Sequence, residues 1–150
     1  MLKISEATAL ALHTAGLLAA HPHERIPTRD IAAFFDISET HLAKVMQRLV
    51  KFGIVKSVRG PGGGFTLKKP ASEISLMDIY SAIEGPFNPQ RCLLGHDVCP
   101  IPRCLLGDFL ASTNRRVRDY LLKTKLTESA SVFRHNNFSK SKIMKKKGTL

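Results

Sequence analysis

The sequence predicts a mainly α-helical protein carrying one small β-hairpin, on three observations. Two short amphipathic helical patterns follow one another between residues 28 and 52 with only Asp36-Ile37-Ser38 between them. A Gly/Pro-rich turn flanked by strand-like runs comes directly after, at Val58-Arg59-Gly60-Pro61-Gly62-Gly63-Gly64-Phe65-Thr66-Leu67. A long apolar stripe of helical period then runs from about Arg103 to Lys125.

The elements follow in order. Residues 5–20 are Ala/Leu-rich and read as a first helix with Ser5 as its cap, ended by His21-Pro22-His23. Thr28 caps a second helix, Arg29 to Phe35, with Asp30 near its positive end. The third helix runs from Glu39 to Phe52, with Leu42, Val45, Met46 and Leu49 on one face and Gly53 as its stop. Ile54 to Arg59 and Gly64 to Leu67 have strand character. Ser75-Leu76-Met77-Asp78 resembles a capping box opening a fourth helix, with Leu76, Ile79, Tyr80 and Ile83 in phase, and Gly85-Pro86 breaks it. Residues 86–102 carry four prolines and two cysteines and read as an irregular loop. The final stripe contains Leu106, Phe109, Leu110, Val117, Tyr120 and Leu121. At that length a small domain does not cover it, so it reads as a dimerisation helix.

Two helices joined by a tight turn, the second longer and basic, and then a glycine-rich hairpin make a winged helix-turn-helix. The expected organisation is a winged helix-turn-helix DNA-binding domain over residues 1–85 and a cysteine-bearing sensory loop over 86–102. A dimerisation helix over 103–126 and a basic, disordered tail over 127–150 complete it. The chain has 150 residues, 43% of them apolar, and a formal charge of +11. Arg134, Lys140, Lys142, Lys145, Lys146 and Lys147 give the last seventeen residues six cations and no acid. A basic surface attracts polyanions by counterion release, and nucleic acid is the commonest of them. No apolar run approaches a membrane span, and Met1-Leu2-Lys3-Ile4-Ser5-Glu6 lacks the pattern of an export signal. A cytoplasmic protein is therefore expected, in which three thiols point away from structural disulfides.

The glycine-rich segment is not a nucleotide loop: no Lys-Ser/Thr pair follows it, and Phe65-Thr66-Leu67 continues as a strand. Ser38, Thr40, His41 and Lys44 lie at the start of the third helix, the end that meets base edges in double-stranded DNA. Gln47, Arg48 and Lys51 read as phosphate contacts or solvated positions. Arg59 is placed to enter the minor groove, and Gly62 and Gly63 to let backbone approach a phosphate. Cys92, Cys99 and Cys104 are separated by gaps of six and four residues. Their soft thiolates suit zinc or an iron–sulfur cluster, and no Cys-x-x-Cys is present. A fourth ligand is open among Glu6, His13, His96 and Asp97. An enzyme is not expected, because neither paired carboxylates nor a base–nucleophile spacing stands out.

From Ile4 to about Leu126 the pattern resembles the Rrf-type winged-helix regulators, the IscR/NsrR/RirA-like family. The wing Ser57-Val58-Arg59-Gly60-Pro61-Gly62-Gly63-Gly64-Phe65 and the three-cysteine loop before a long helix carry the resemblance. It implies a homodimeric transcription factor, a repressor on a palindromic operator. It implies a two-iron or four-iron cluster on Cys92, Cys99 and Cys104 that answers redox state, nitric oxide or iron supply. One branch of the family has a histidine where this chain has Gly107, and a glutamate on the recognition helix where it has Ala43. Another uses an N-terminal aspartate of the partner subunit, near which this chain has Glu6. The alternative implied is a cluster-free, thiol- or partner-responsive regulator of the same fold, binding DNA together with a protein partner.

Overall fold

In the computed structural model, residues 4–94 and 101–134 are described. The helices are α1 (Glu6–Ala20), α2 (Thr28–Phe35), α3 (Glu39–Lys51), α4 (Leu76–Glu84), α5 (Phe109–Lys123) and α6 (Leu126–Arg134). Strands β1 (Val55–Val58) and β2 (Gly64–Leu67) form an antiparallel hairpin between α3 and α4, with Val55 opposite Leu67 and Val58 opposite Gly64. This is the winged helix-turn-helix expected from the sequence.

α1 is apolar on nearly every side, and the chain covers it accordingly. Leu10, Ala11, Ala15, Leu17, Leu18 and Ala19 are all buried, and α3, α4, α6 and β2 pack against the helix. Ser5 caps it by accepting a hydrogen bond from the Thr8 amide at 3.1 Å. α3 places Leu42, Val45, Met46 and Leu49 in the same core and leaves its opposite face to solvent. α4 opens with the Ser75–Asp78 capping box. Its buried residues are Met77, Ile79, Ala82 and Ile83, while Leu76 and Tyr80 are half-buried at its margin.

Four local expectations are corrected. α2 begins at Thr28 with Pro27 in the cap position, so Thr28 does not cap it. The Pro27 carbonyl accepts from the Asp30 and Ile31 amides, which moves the helix start one residue back. The first strand is shorter by one residue at each end, since β1 begins at Val55 and ends at Val58, while β2 keeps the expected bounds. The long helix expected from Arg103 starts only at Phe109. Gly107, at φ +52, donates from its amide to the Cys104 carbonyl and closes a turn before it.

The fourth correction is the largest. Residues 127–134, expected within a disordered tail, belong to helix α6. The break between α5 and α6 is made by pairing: Leu76 N–H donates to the Thr124 carbonyl at 3.1 Å, and Leu126 N–H to the Ile74 carbonyl at 2.8 Å. Leu126, Ala130 and Phe133 then recur at helical spacing and dock on α1. Phe133 lies over Gly16, its ring 2.7 Å from where a Cβ would stand. The expected tail beyond Arg134 lies outside the described residues. Among the described residues no helix is long and apolar enough to cross a membrane.

Leu126 is fully buried at the head of α6. Leu126→Ala is expected to lower unfolding stability by about 2–5 kcal/mol, measured by denaturant titration of both proteins. A loss below about 0.5 kcal/mol, the scale of surface substitutions, would show that α6 does not belong to the core.

Candidate nucleic-acid interface and cysteine loop

The helix-turn-helix is set by two backbone devices. Asp36 takes a left-handed conformation (φ +55), and the Ile37 amide reaches back to the Ala32 carbonyl at 3.0 Å, so α2 ends sharply. Two residues later Ser38 caps α3, its hydroxyl accepting from the His41 amide at 3.2 Å. Ser38 is thus a cap, and its exposed hydroxyl still has a proton to donate. Thr40 and Lys44 are exposed at the same end of α3. His41 is half-buried, and its Nε2 is buried without a hydrogen-bond partner among the described residues. Of the four residues expected to face bases, Thr40 and Lys44 therefore present the freest side chains. Arg48 is engaged elsewhere: its Nη1 donates to the Ile83 carbonyl at 2.9 Å.

The wing is a two-stranded hairpin tied by one isolated bridge to the chain before α2. Ile26, in the connection before α2, pairs with Phe65 through both backbone hydrogen bonds, at 3.1 and 2.9 Å. This explains the glycines individually. A Cβ on Gly64 would lie 2.7–2.9 Å from the Ile26 backbone, and one on Gly63 would lie 2.4 Å from the Val58 carbonyl oxygen. At those two positions the protein itself leaves no room for a side chain. Gly62 faces open space at φ +70, and the backbone of Gly62 and Gly63 both lines the groove beside the wing.

The Ile26 bridge also brings α2 beside the wing tip and forms a groove of about 650 Å³ between them. Arg25, Thr28, Arg29, Ser57, Gly60 and Gly62 are among the residues lining it. Arg25, Arg29, Lys44, Lys56 and Arg59 are all exposed on these elements. Arg25 and Arg29 were not singled out from the sequence. Their signal was available in the four-residue spacing of two cations at the start of the helix pair, but only the Ile26–Phe65 bridge brings them to the wing.

The cysteine loop leaves α4 at Gly85, whose φ of +86 ends the helix. Its stem is held on both sides. Phe87 packs edge-on against Tyr80 of α4 with ring centroids 5.6 Å apart. The Tyr80 phenol is pushed above its usual range, first by burial and then by the Glu84 charge, so it stays neutral. Asn114, buried on α5, donates to the Gln90 carbonyl at 3.2 Å. Cys92 is half-buried, Cys104 is exposed, and both are free thiols. Cys99, His96 and Asp97 lie outside the described residues. Among the described residues no three His, Cys, Asp or Glu side chains are gathered as for a metal ion.

The other two fourth-ligand candidates have distinct surroundings. His13 Nδ1 is 2.6 Å from the Ala9 carbonyl, and its ring meets Phe35 and Phe133 edge-on, which gives it a packing role. Glu6 is exposed in the first turn of α1. Its neighbour Ser5 is bonded to Glu84, the residue before Gly85, so the start of α1 lies at the root of the loop.

A family model described as "Rrf2: Iron-dependent Transcriptional regulator" matches residues 4–131. The chain is 37% identical over 83 residues to the putative HTH-type transcriptional regulator BadM of Rhodopseudomonas palustris, covering 55% of this chain and 53% of that protein. It thus spans about half the length of that relative. It is 36% identical over 113 residues to the HTH-type transcriptional regulator IscR of Pectobacterium carotovorum, covering 74% of this chain and 68% of that one. Among solved structures, CymR, the global cysteine regulator of B. subtilis, superimposes with a TM-score of 0.75 at 28% identity, over 88% of this chain and 98% of that one.

Gly64→Ala is expected to cost about 1–3 kcal/mol of stability through strain and backbone clash and to loosen the Ile26–Phe65 bridge. Gly62→Ala meets no atom and should cost only about 1–2 kcal/mol for its left-handed backbone. Amide hydrogen exchange at Ile26 and Phe65 separates the two. Equal protection in both variants would show that the bridge does not depend on a bare Cα at residue 64.

Proposed function

Because the chain belongs to the Rrf2 family of transcriptional regulators, we propose that it is a homodimeric, cytoplasmic repressor of a palindromic operator, sensing redox state, nitric oxide or iron status through an iron–sulfur cluster. The observation that carries this reading is that one chain joins a basic helix-turn-helix and wing to a loop stem that bears free thiols and is held to α4 and α5. The relatives named above are transcriptional regulators, which favours a DNA-binding protein over an enzyme.

Dimerisation is supported by apolar side chains that the described chain leaves uncovered. Phe109, Tyr120 and Leu122 on α5 and Val132 on α6 are 60%, 63%, 43% and 68% exposed. Phe109 and Tyr120 fall on the same face of α5, and Tyr120 and Val132 line a shared pocket, so these side chains mark an interaction surface. A two-fold pair of heads would match a palindrome of two half-sites.

The donor set fits a cluster: Cys92 and Cys104 are accessible free thiols, and thiolate sulfur is the ordinary ligand of iron–sulfur centres. Cys92, Cys99 and Cys104 would hold it, and of the two described candidates for a fourth ligand Glu6 is exposed, whereas His13 is engaged with the Ala9 carbonyl and two phenylalanine rings. A bound cluster would supply one-electron redox chemistry and a reactive iron for small oxidants. The protein's own part is to hold the loop stem through Tyr80–Phe87 and Asn114–Gln90 and to present Lys44, Thr40, Arg59 and the Gly62 backbone to DNA.

A second reading is favoured by the likeness to the cysteine regulator CymR. In it the same fold carries no cluster, and the thiols or a protein partner govern DNA binding.

Anaerobic purification with a visible spectrum and iron and sulfide analysis tests the choice. A brown protein with stoichiometric iron and sulfide, bleached by Cys92→Ala or Cys104→Ala, is the expected result. A colourless, iron-free protein that still binds DNA moves the reading to thiol or partner sensing. On the DNA side, Arg59→Ala and Lys44→Ala are each expected to weaken operator binding by about 1–3 kcal/mol. Band-shift titrations at several salt concentrations check this. Unchanged affinity in both variants would remove the wing and α3 from the interface.

A further inference from the structure

Four hydrogen bonds meet at two consecutive residues of α4. The Ile83 carbonyl accepts from Arg48 Nη1 at 2.9 Å. The Glu84 carboxylate accepts from the Ser5 amide at 3.3 Å and from the Ser5 and Thr8 hydroxyls. Gly85 follows at once and begins the cysteine loop. Ile83 lies in the last turn of α4, where carbonyl oxygens lack partners within the helix. A guanidinium supplied from a neighbouring helix satisfies one of them with a charge-assisted bond.

Arg48 sits on α3, the helix that carries Thr40 and Lys44. We infer that Arg48 is a positioning residue: through the Ile83 carbonyl it fixes the recognition helix to the root of the cysteine loop, so that a change in the loop stem alters how α3 is presented to DNA. This rests on the sensory reading above. Three alternatives for Arg48 exist on the same geometry, namely a phosphate contact, a solvated cation and a purely local cap. The bond to Ile83 commits one guanidinium nitrogen of this exposed residue to α4, and the salt dependence of DNA binding separates the relay from the first two. Coupling separates it from the third, because a local cap would change stability without changing the difference between loop states.

The stem's other anchorage makes the relay directional. Asn114 holds Gln90 to α5, and Tyr80 holds Phe87 to α4, so the described part of the loop is fixed between the long helix and residues 83–84. A shift of α5 or of the stem is therefore carried to the Ile83 carbonyl, and Arg48 is the side chain that receives it on α3.

The test uses the full-length protein purified anaerobically, with operator affinity measured before and after air oxidation at several salt concentrations. Arg48→Met and Arg48→Gln both remove the tie, and circular dichroism and thermal melts establish that each remains folded. The wild type is expected to change affinity on oxidation by about 5–150-fold, the usual range of such couplings. In the variants that ratio should fall to within about twofold of unity, with the slope of affinity against salt unaltered. Retention of the wild-type ratio in either folded variant overturns the relay while leaving the sensor intact. A collapsed ratio with a salt slope shallower by about one also overturns it, because Arg48 then acts by touching a phosphate. A wild type that does not respond to oxidation sinks the redox-sensing reading, and this inference with it.

Discussion

Everything in this structure is arranged around the need to bury α1. Its Leu, Ala and Gly residues leave no polar face, so the helix is stable only when covered on all sides. α3 and β2 cover it from the DNA-reading head, α4 from behind, and α6 from the far end of the chain. Because one helix is the common floor of all these elements, the head and the C-terminal helices share a single core. Gly16 shows how close this packing is, since Phe133 occupies the space a side chain there would need.

On that floor a few polar ties decide where the functional parts stand. The Ile26–Phe65 bridge seats the wing against the start of α2, and it does so only because Gly64 has no Cβ. Arg48 and Glu84 tie the end of α4 to α3 and α1. Asn114 and Tyr80 hold the stem of the cysteine loop. Each is a ring contact or at most a few hydrogen bonds, modest beside the core in stability. Their importance is geometric, because they fix the wing, the recognition helix and the loop root relative to one another.

Much of this was legible residue by residue. The helix starts at Ser5, Ser38 and Ser75 were readable because capping chemistry is local: a hydroxyl or carboxylate meets an amide three residues away. The buried face of α3 was readable from its period. The misreadings share a cause, which is a partner distant in sequence. Lys125 and Leu126 carry no evident break signal, and the chain turns there because residues 74–76 pair with 124–126. Gly63 and Gly64 carry no sign in the sequence that Val58 and Ile26 fill the space a side chain there would need. Arg48 carries no sign of its bond to the Ile83 carbonyl until α4 lies beside it.

Legible from the residues alone are the winged helix-turn-helix, the cations Lys44 and Arg59 on its third helix and wing, and the three thiols. Those follow from local propensity, period and composition, which need no knowledge of what lies across the core. Only the tertiary structure decided that α6 closes the core, that the wing is joined to Ile26, and that α3 is tied to the root of the cysteine loop. Such ties rest on backbone carbonyls and bare Cα positions, which every residue or every glycine offers alike, so packing alone selects which of them are used.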